Sequence, residues 1–263
     1  MAKFDFPTEI VDLPSKGKLY PEGHPLSKGT VEIKYMTARE EDILASQNLI
    51  RKGVVLDKLF ESVVVEEGLD IGDIFIGDKN AILLATRILG YGKDYQVEVT
   101  DPFTGETQKE VIDLSQIQIK EVNENLLSSD NRYSITLPVS KKEVVLKLLT
   151  HKDEQDINSE IQALQRLQKK GQDAVSQEMS TRLRYIIQEI DGNTDRGFIN
   201  NYVKNNLLAR ESKFIRDYIR EISPDLDLKY QFTSDITGET EALDIPFGVG
   251  FFYPSEWVLN PTS

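Results

Sequence analysis

Cysteine is absent from this 263-residue chain, and histidine occurs only twice, at His24 and His151. The first absence excludes disulfides, iron–sulfur clusters, thiolate zinc sites and a cysteine nucleophile, and is compatible with a reducing compartment. The second leaves no histidine pair at ligand spacing: His24 reads as a turn residue and His151 as the residue after a helix cap, neither with a chemical role. No run approaches the ~18 to 20 apolar residues of a membrane span. Met1 to Pro14 alternates charge with isolated apolar positions, unlike a secretory leader. No glycine-rich phosphate loop, nucleophile elbow or metalloprotease helix is found. Basic charge is in short supply as well, with 31 Lys and Arg against 44 Asp and Glu, a net charge of −13 and a pI near 4.8. That balance argues against nucleic acid and against anionic membranes, both of which demand cationic surfaces. The expectation is a chain with no cofactor, no metal, no nucleic-acid or membrane partner and no small-molecule substrate. What is present is material for a core: 39% hydrophobic residues, with 11 Phe and 10 Tyr.

The sequence also repeats itself. Thr104-Gly105-Glu106-Thr107 recurs as Thr237-Gly238-Glu239-Thr240, and the similarity continues upstream at a constant offset of 133 residues: Ile82 with Ile215, Arg87 with Arg220, Asp94 with Asp227, Thr100 with Thr233. Further back, Ile33-Lys34-Tyr35-Met36-Thr37 resembles Leu146-Lys147-Leu148-Leu149-Thr150 at an offset of 113. Two copies of one supersecondary unit are expected, the second lengthened by about twenty residues within its helices.

Along the chain, 1–30 reads as an extended arm, too rich in Pro and Gly for a helix and too apolar for a free tail. The first unit, 31–127, opens with a strand over Thr30–Met36, followed by Thr37 as N-cap with Glu40 three residues on, a capping box. Helices are expected over 38–52, ended by Gly53, over Leu56–Val65, and after Asp78 as a third cap. A hairpin follows, with strands Tyr95–Thr100 and Glu110–Leu114. Residues 116–133 read as a polar connector, with the boundary between units at Ser128–Asn131. The second unit, 128–247, carries a strand over Glu143–Leu149 and longer helices over 153–170, 175–190, 196–208 and 211–222. The stripe Ile157, Ile161, Leu164 and Leu167 suits either a core face or a docking face. An aromatic segment, 248–263, ends the chain. The fold class expected is α+β: an internally duplicated unit of strand, helices and β-hairpin, with the two hairpin tips brought together.

Each tip has the layout of a zinc knuckle without its sulfur. The ligand positions would be Asp101 and Thr104 in the first and Ser234 and Thr237 in the second, with Gly105 and Gly238 following. One carboxylate and three hydroxyls do not suit zinc. Two readings stay open: a knuckle fold held by hydrogen bonds between the turns, or plain β-turns. Acidic pairs such as Glu40–Glu41 and Asp153–Glu154 suit the first turns of helices better than acid–base catalysis. Arg87 and Arg220 are expected to brace equivalent helices through ion pairs. Tyr20, Phe251, Phe252, Tyr253 and Trp257 are candidate partner contacts or, equally, residues that close the chain's own core.

Val11-Asp12-Leu13-Pro14-Ser15-Lys16-Gly17 through Tyr20, then Leu26-Ser27-Lys28-Gly29-Thr30-Val31, Ile76-Gly77-Asp78-Lys79-Asn80, Ile88-Leu89-Gly90-Tyr91-Gly92 and Ile245-Pro246-Phe247-Gly248-Val249-Gly250-Phe251-Phe252-Tyr253-Pro254 follow one another in order. Together they resemble a family of baseplate proteins from T4-like contractile-tailed phages. Members often carry Cys-x-x-Cys at the two tips; this chain departs there, which counts against metal binding and leaves the hairpins intact. The resemblance implies a role at the baseplate hub. One form of that role is a non-enzymatic assembly protein, chaperone-like, that binds hub or tail-initiation subunits in the host cytoplasm. The other is a permanent component of the virion baseplate or tail. An enzyme acting on the cell envelope is the third and least supported reading.

Overall fold

Alternating Val31 and Ile33 demand a buried face, and the partner that completes their sheet comes from the arm. In the computed structural model, which describes residues 7–168 and 177–252, Thr8–Asp12 (β1) pairs antiparallel with Thr30–Lys34 (β2), Thr8 opposite Lys34 and Asp12 opposite Thr30. Between these strands, residues 13–29 fold back and bury Leu13, Leu19, Tyr20 and Leu26. Gly17 permits this course: its φ is +78°, and a Cβ there would stand 2.3 Å from the Ser27 carbonyl oxygen.

Thr37 and Glu40 form the capping box that opens Ala38–Ala45 (α1). The Glu40 carboxylate accepts from the Thr37 N–H at 2.8 Å, and also from Lys34 and Ser62. Burial acts to raise its pKa, but these donors outweigh it and hold the group down at about 2. The single helix expected over 38–52 is broken at Ser46, which leaves Gln47–Lys52 (α2) as a separate segment with no buried residue. The chain turns at Gly53 and puts its apolar positions into Val55–Val63 (α3), where Leu59, Phe60 and Val63 are buried.

Ile76–Tyr91 (α4) is buried around most of its circumference, from Gly77 to Arg87, as befits a helix at the centre of the molecule. Its first turn lies against the backbone of Pro224, and a Cβ on Gly77 would meet that residue's oxygen at 1.8 Å. Asp78 is not the cap expected of it. Phe75 holds the cap position, and Asp78, two residues inside the helix, points away into the arm. Asp94–Thr100 (β3) and Thr107–Asp113 (β4) form the first hairpin, with Thr100 opposite Thr107. The second strand begins three residues earlier than expected.

The polar connector contains a short strand, Gln118–Ile119 (β5), that reaches across to the second half of the chain. Tyr133–Thr136 (β6), Glu143–Leu146 (β7) and Ile187–Ile190 (β8) make an antiparallel sheet in the order β6-β7-β8. The expected helix 175–190 is therefore shorter, Glu178–Ile186 (α6), and its last residues are strand. Ile187 and Ile190 are β-branched, buried, and complete the open edge of β7. His151–Gln168 (α5) precedes α6; Arg196–Asn205 (α7) and Ala209–Ile222 (α8) follow β8. Leu226–Asp227 (β9) pairs with β5, and Lys229–Thr233 (β10) with Thr240–Asp244 (β11) forms the second hairpin. The mixture of helices and small antiparallel sheets is α+β. Its buried side chains make one cluster that runs from Leu13 to Phe252 across the boundary expected at Ser128–Asn131.

Candidate functional site

The repeated turns build matching hydrogen-bond sets. In the first tip the Gly105 N–H donates to the Asp101 carbonyl at 2.8 Å, and the Asp101 N–H donates to that of Glu106. In the second, Gly238 donates to Ser234 at 2.9 Å, and Ser234 to Glu239. Gly105 and Gly238 take φ of +76° and +72°, the left-handed conformation that such turns require. Asp101 Oδ1 accepts from the N–H groups of Phe103 and Thr104, while Ser234 Oγ accepts from those of Ile236 and Thr237. The Thr104 and Thr237 hydroxyls accept from Glu106 and Glu239, each at 3.3 Å.

The two tips meet. Ser234 Oγ donates to Asp101 Oδ2 at 2.6 Å, and both residues are buried. Gln108 of β4 adds a second bridge, giving its amide hydrogens to the Thr233 carbonyl and accepting from the Asp235 N–H. Nothing local in the sequence marks Gln108 for this. Burial acts to raise the Asp101 pKa, but the Ser234 hydroxyl and the Phe103 and Thr104 donors outweigh it and hold the carboxyl below its usual value. All four positions singled out as ligand-like, Asp101, Thr104, Ser234 and Thr237, are thus engaged within the turns or with one another. Among the described residues no three His, Cys, Asp or Glu side chains are grouped to hold a metal ion. Beyond these bonds the paired turns show Phe103 and Ile236 to solvent, at the same place in each tip. The 133-residue offset relates these two positions and could have flagged them.

The candidate contact aromatics lie elsewhere. Tyr20 is buried: its hydroxyl donates to Asp78 Oδ2 at 2.7 Å and accepts from the Phe75 N–H, and its ring stacks on His24. Burial, with the Asp78 charge beside it, pushes that hydroxyl's pKa up. Phe251 and Phe252 are buried too, Phe251 edge-on to Tyr95 at 5.0 Å. For these three, burial fits the closing of the chain's own core. Tyr253 and Trp257 lie outside the described residues.

Among the described residues Arg87 forms none of the expected ion pairs. Its buried guanidinium donates to the carbonyls of Phe251 and Gly92, each at 2.9 Å, and lies among the rings of Tyr91, Tyr95 and Phe251. Arg220 is exposed and pairs with Asp217 at 3.6 Å. His24 is the turn residue expected, its Nδ1 accepting from the Leu26 N–H. His151 is buried against Phe60, and burial, then the charge of Lys79, push its pKa down. Lys79 binds Asp57 and Glu154 at 2.8 and 3.2 Å, tying α3, α4 and α5 together. Among the described residues no helix is long and apolar enough to cross a membrane.

A family model described as T4 bacteriophage base plate protein matches residues 6–166, more than half of the chain. The match runs from β1 into α5 and takes in the first hairpin tip. No curated protein and no solved structure matches.

Proposed function

We propose that this chain, which belongs to the T4 bacteriophage base plate protein family, is a non-enzymatic assembly protein of the baseplate hub. It acts in the host cytoplasm on hub or tail-initiation subunits of a contractile tail. The observation that carries the reading is the family match over residues 6–166. The joined tips support it: turns already tied together by the Asp101–Ser234 and Gln108 bonds need little further ordering to meet a partner. We read the two halves as duplicated copies of one unit, whose tips are zinc knuckles that have exchanged a metal for the Asp101–Ser234 hydrogen bond. The partners are other baseplate hub or tail proteins.

The experiment is quantitative mass spectrometry of purified mature particles, calibrated on a known baseplate subunit, with infected-cell lysate as the control. Abundance in the lysate with none in the particle is the expected result. Stoichiometric copies in the particle would instead make this a permanent baseplate subunit.

A further inference from the structure

Two regions of the chain differ in charge along the sequence, and each displays exposed apolar side chains. Stretches 94–113 and 226–245, which contain the two main hairpins, hold eleven acidic residues and two basic ones. Stretch 196–222, which contains α7 and α8, holds six basic residues and three acidic ones, in a chain of net charge −13. At the joined tips Phe103 and Ile236 are 39% and 61% exposed. Glu106, Asp235 and Glu239 lie exposed in the same two turns, and neither 101–107 nor 234–240 contains a Lys or Arg. At the start of α8, Phe214 and Leu208 are 38% and 45% exposed, with exposed Arg210 and Lys213 beside them. Arg210 and Phe214 are four residues apart and share a helix face. The acid between them in sequence, Glu211, is buried and accepts from the Ser140 N–H, so it does not neutralise that face. Asp217, one turn on, pairs with Lys213 and leaves Arg210 exposed next to the apolar pair.

We infer that the acidic, apolar tip pair of one molecule docks on the basic, apolar face at the start of α8 in a second copy of this chain. Salt screens charges beyond about 8 Å at physiological ionic strength, so the contacting patches, not the net charge, decide the encounter. The apolar residues supply the area removed from water, and the charges supply rate and register. Because a tip meets a different surface on its neighbour, the contact is head-to-tail and generates rings or open files.

Sedimentation velocity of the purified full chain, from low to high micromolar at low salt and at about 0.5 M salt, tests this. The sedimentation coefficient should rise with concentration at low salt, and association should weaken about tenfold or more at high salt. Two surface variants, Phe103→Ser/Ile236→Ser and Arg210→Glu/Lys213→Glu, should each be monomeric alone with an unchanged circular dichroism spectrum. Mixed, they should form a complex of two chains and no larger, since each supplies one intact face. Phe214→Ser should behave as Arg210→Glu/Lys213→Glu does, a second check on the helix side. Wild-type chain that stays monomeric across the range, variants that still associate alone, or variants that stay apart when mixed would each overturn the inference.

Discussion

The helices α4 and α8 lead into the two hairpins at equivalent places, 133 residues apart, yet they live in different surroundings. Both carry an acid two residues inside the helix, Asp78 and Glu211, and both acids are buried and grip a loop that follows the first strand of their own half. In the first half that loop is Leu13-Pro14-Ser15-Lys16; in the second it is Leu137-Pro138-Val139-Ser140-Lys141. Lys16 and Lys141 even share a positive φ, 51° and 59°. Beyond this the helices part. Burial surrounds α4, whereas on α8 Ile215 and Ile222 face inward while Phe214 and Arg220 face solvent. Local hydrogen bonding is alike at the two positions, while burial differs between them. α4 packs against β1, α3 and Phe251 and is tied to α5 through Lys79, while α8 shows much of its surface to solvent.

The sharpest break in the equivalence is at Gly77 and its counterpart Arg210. Gly77→Ala forces a Cβ against the Pro224 backbone, which no rotamer change relieves; the expected cost is above about 3 kcal/mol, or failure to fold. Arg210→Ala on the exposed face should stay within about 0.5 kcal/mol. Urea melts of the two variants check this, and a mild Gly77→Ala would mean that α4 and the 224–225 segment do not touch as described.

The next test uses the two acids, whose pKa values move in opposite directions. For Asp78, burial raises the pKa and the Ser15 and Tyr20 donors only partly oppose it. For Glu211, burial also acts upward, but the Ser140 donors outweigh it and the pKa is lowered. A raised carboxyl contributes stability that is complete below its unfolded value, 3.8 here, and declines as pH rises through the folded pKa. A lowered one contributes above its unfolded value, 4.5 here, and loses it as pH falls. Asp78→Asn should cost about 2 to 3 kcal/mol and Glu211→Gln about 1 to 2. Between pH of about 4 and about 7 the Asp78→Asn penalty should shrink and the Glu211→Gln penalty should grow. Parallel pH profiles for the two variants would show that their environments do not differ as described.

The sequence is legible wherever the signal is local. The Thr37–Glu40 capping box, the Gly53 stop and the turns at Gly105 and Gly238 each need only a few neighbouring residues, and each is found. The failures share a physical reason, since each depends on a distant segment. Ile187–Ile190 suits helix or strand, and the open edge of β7 decides for strand. Asp78 looks like a cap until the arm supplies Ser15 and Tyr20 as donors from about sixty residues away. The arm's own strand β1 was hidden by the Pro and Gly residues that follow it. At the candidate site, the recurring tetrapeptide predicts two like turns and suggests that they meet; the Gln108 bridge has no signal in the sequence.

The smallest predicted effect concerns the arginines that the repeat aligns. Arg87 and Arg220 lie 133 residues apart, and a shared bracing role is the simple expectation. Arg87 instead offers its planar fork to carbonyls of Phe251 and Gly92 and packs among three aromatic rings. Burial lowers its pKa, though a guanidinium stays charged. A lysine keeps the charge but cannot reach both carbonyls from one plane, so Arg87→Lys should cost about 1 to 2 kcal/mol. Its effect should concentrate where the fork binds: amide exchange should quicken in 247–252 and at the base of β3 before it does in α8. Arg220→Lys replaces one exposed cation by another beside Asp217 and should change stability by less than about 0.5 kcal/mol. Equal, small effects at both positions would mean that the carbonyl bonds of Arg87 add nothing beyond its charge, and that residues 247–252 are held by the packing of Phe251 and Phe252 alone.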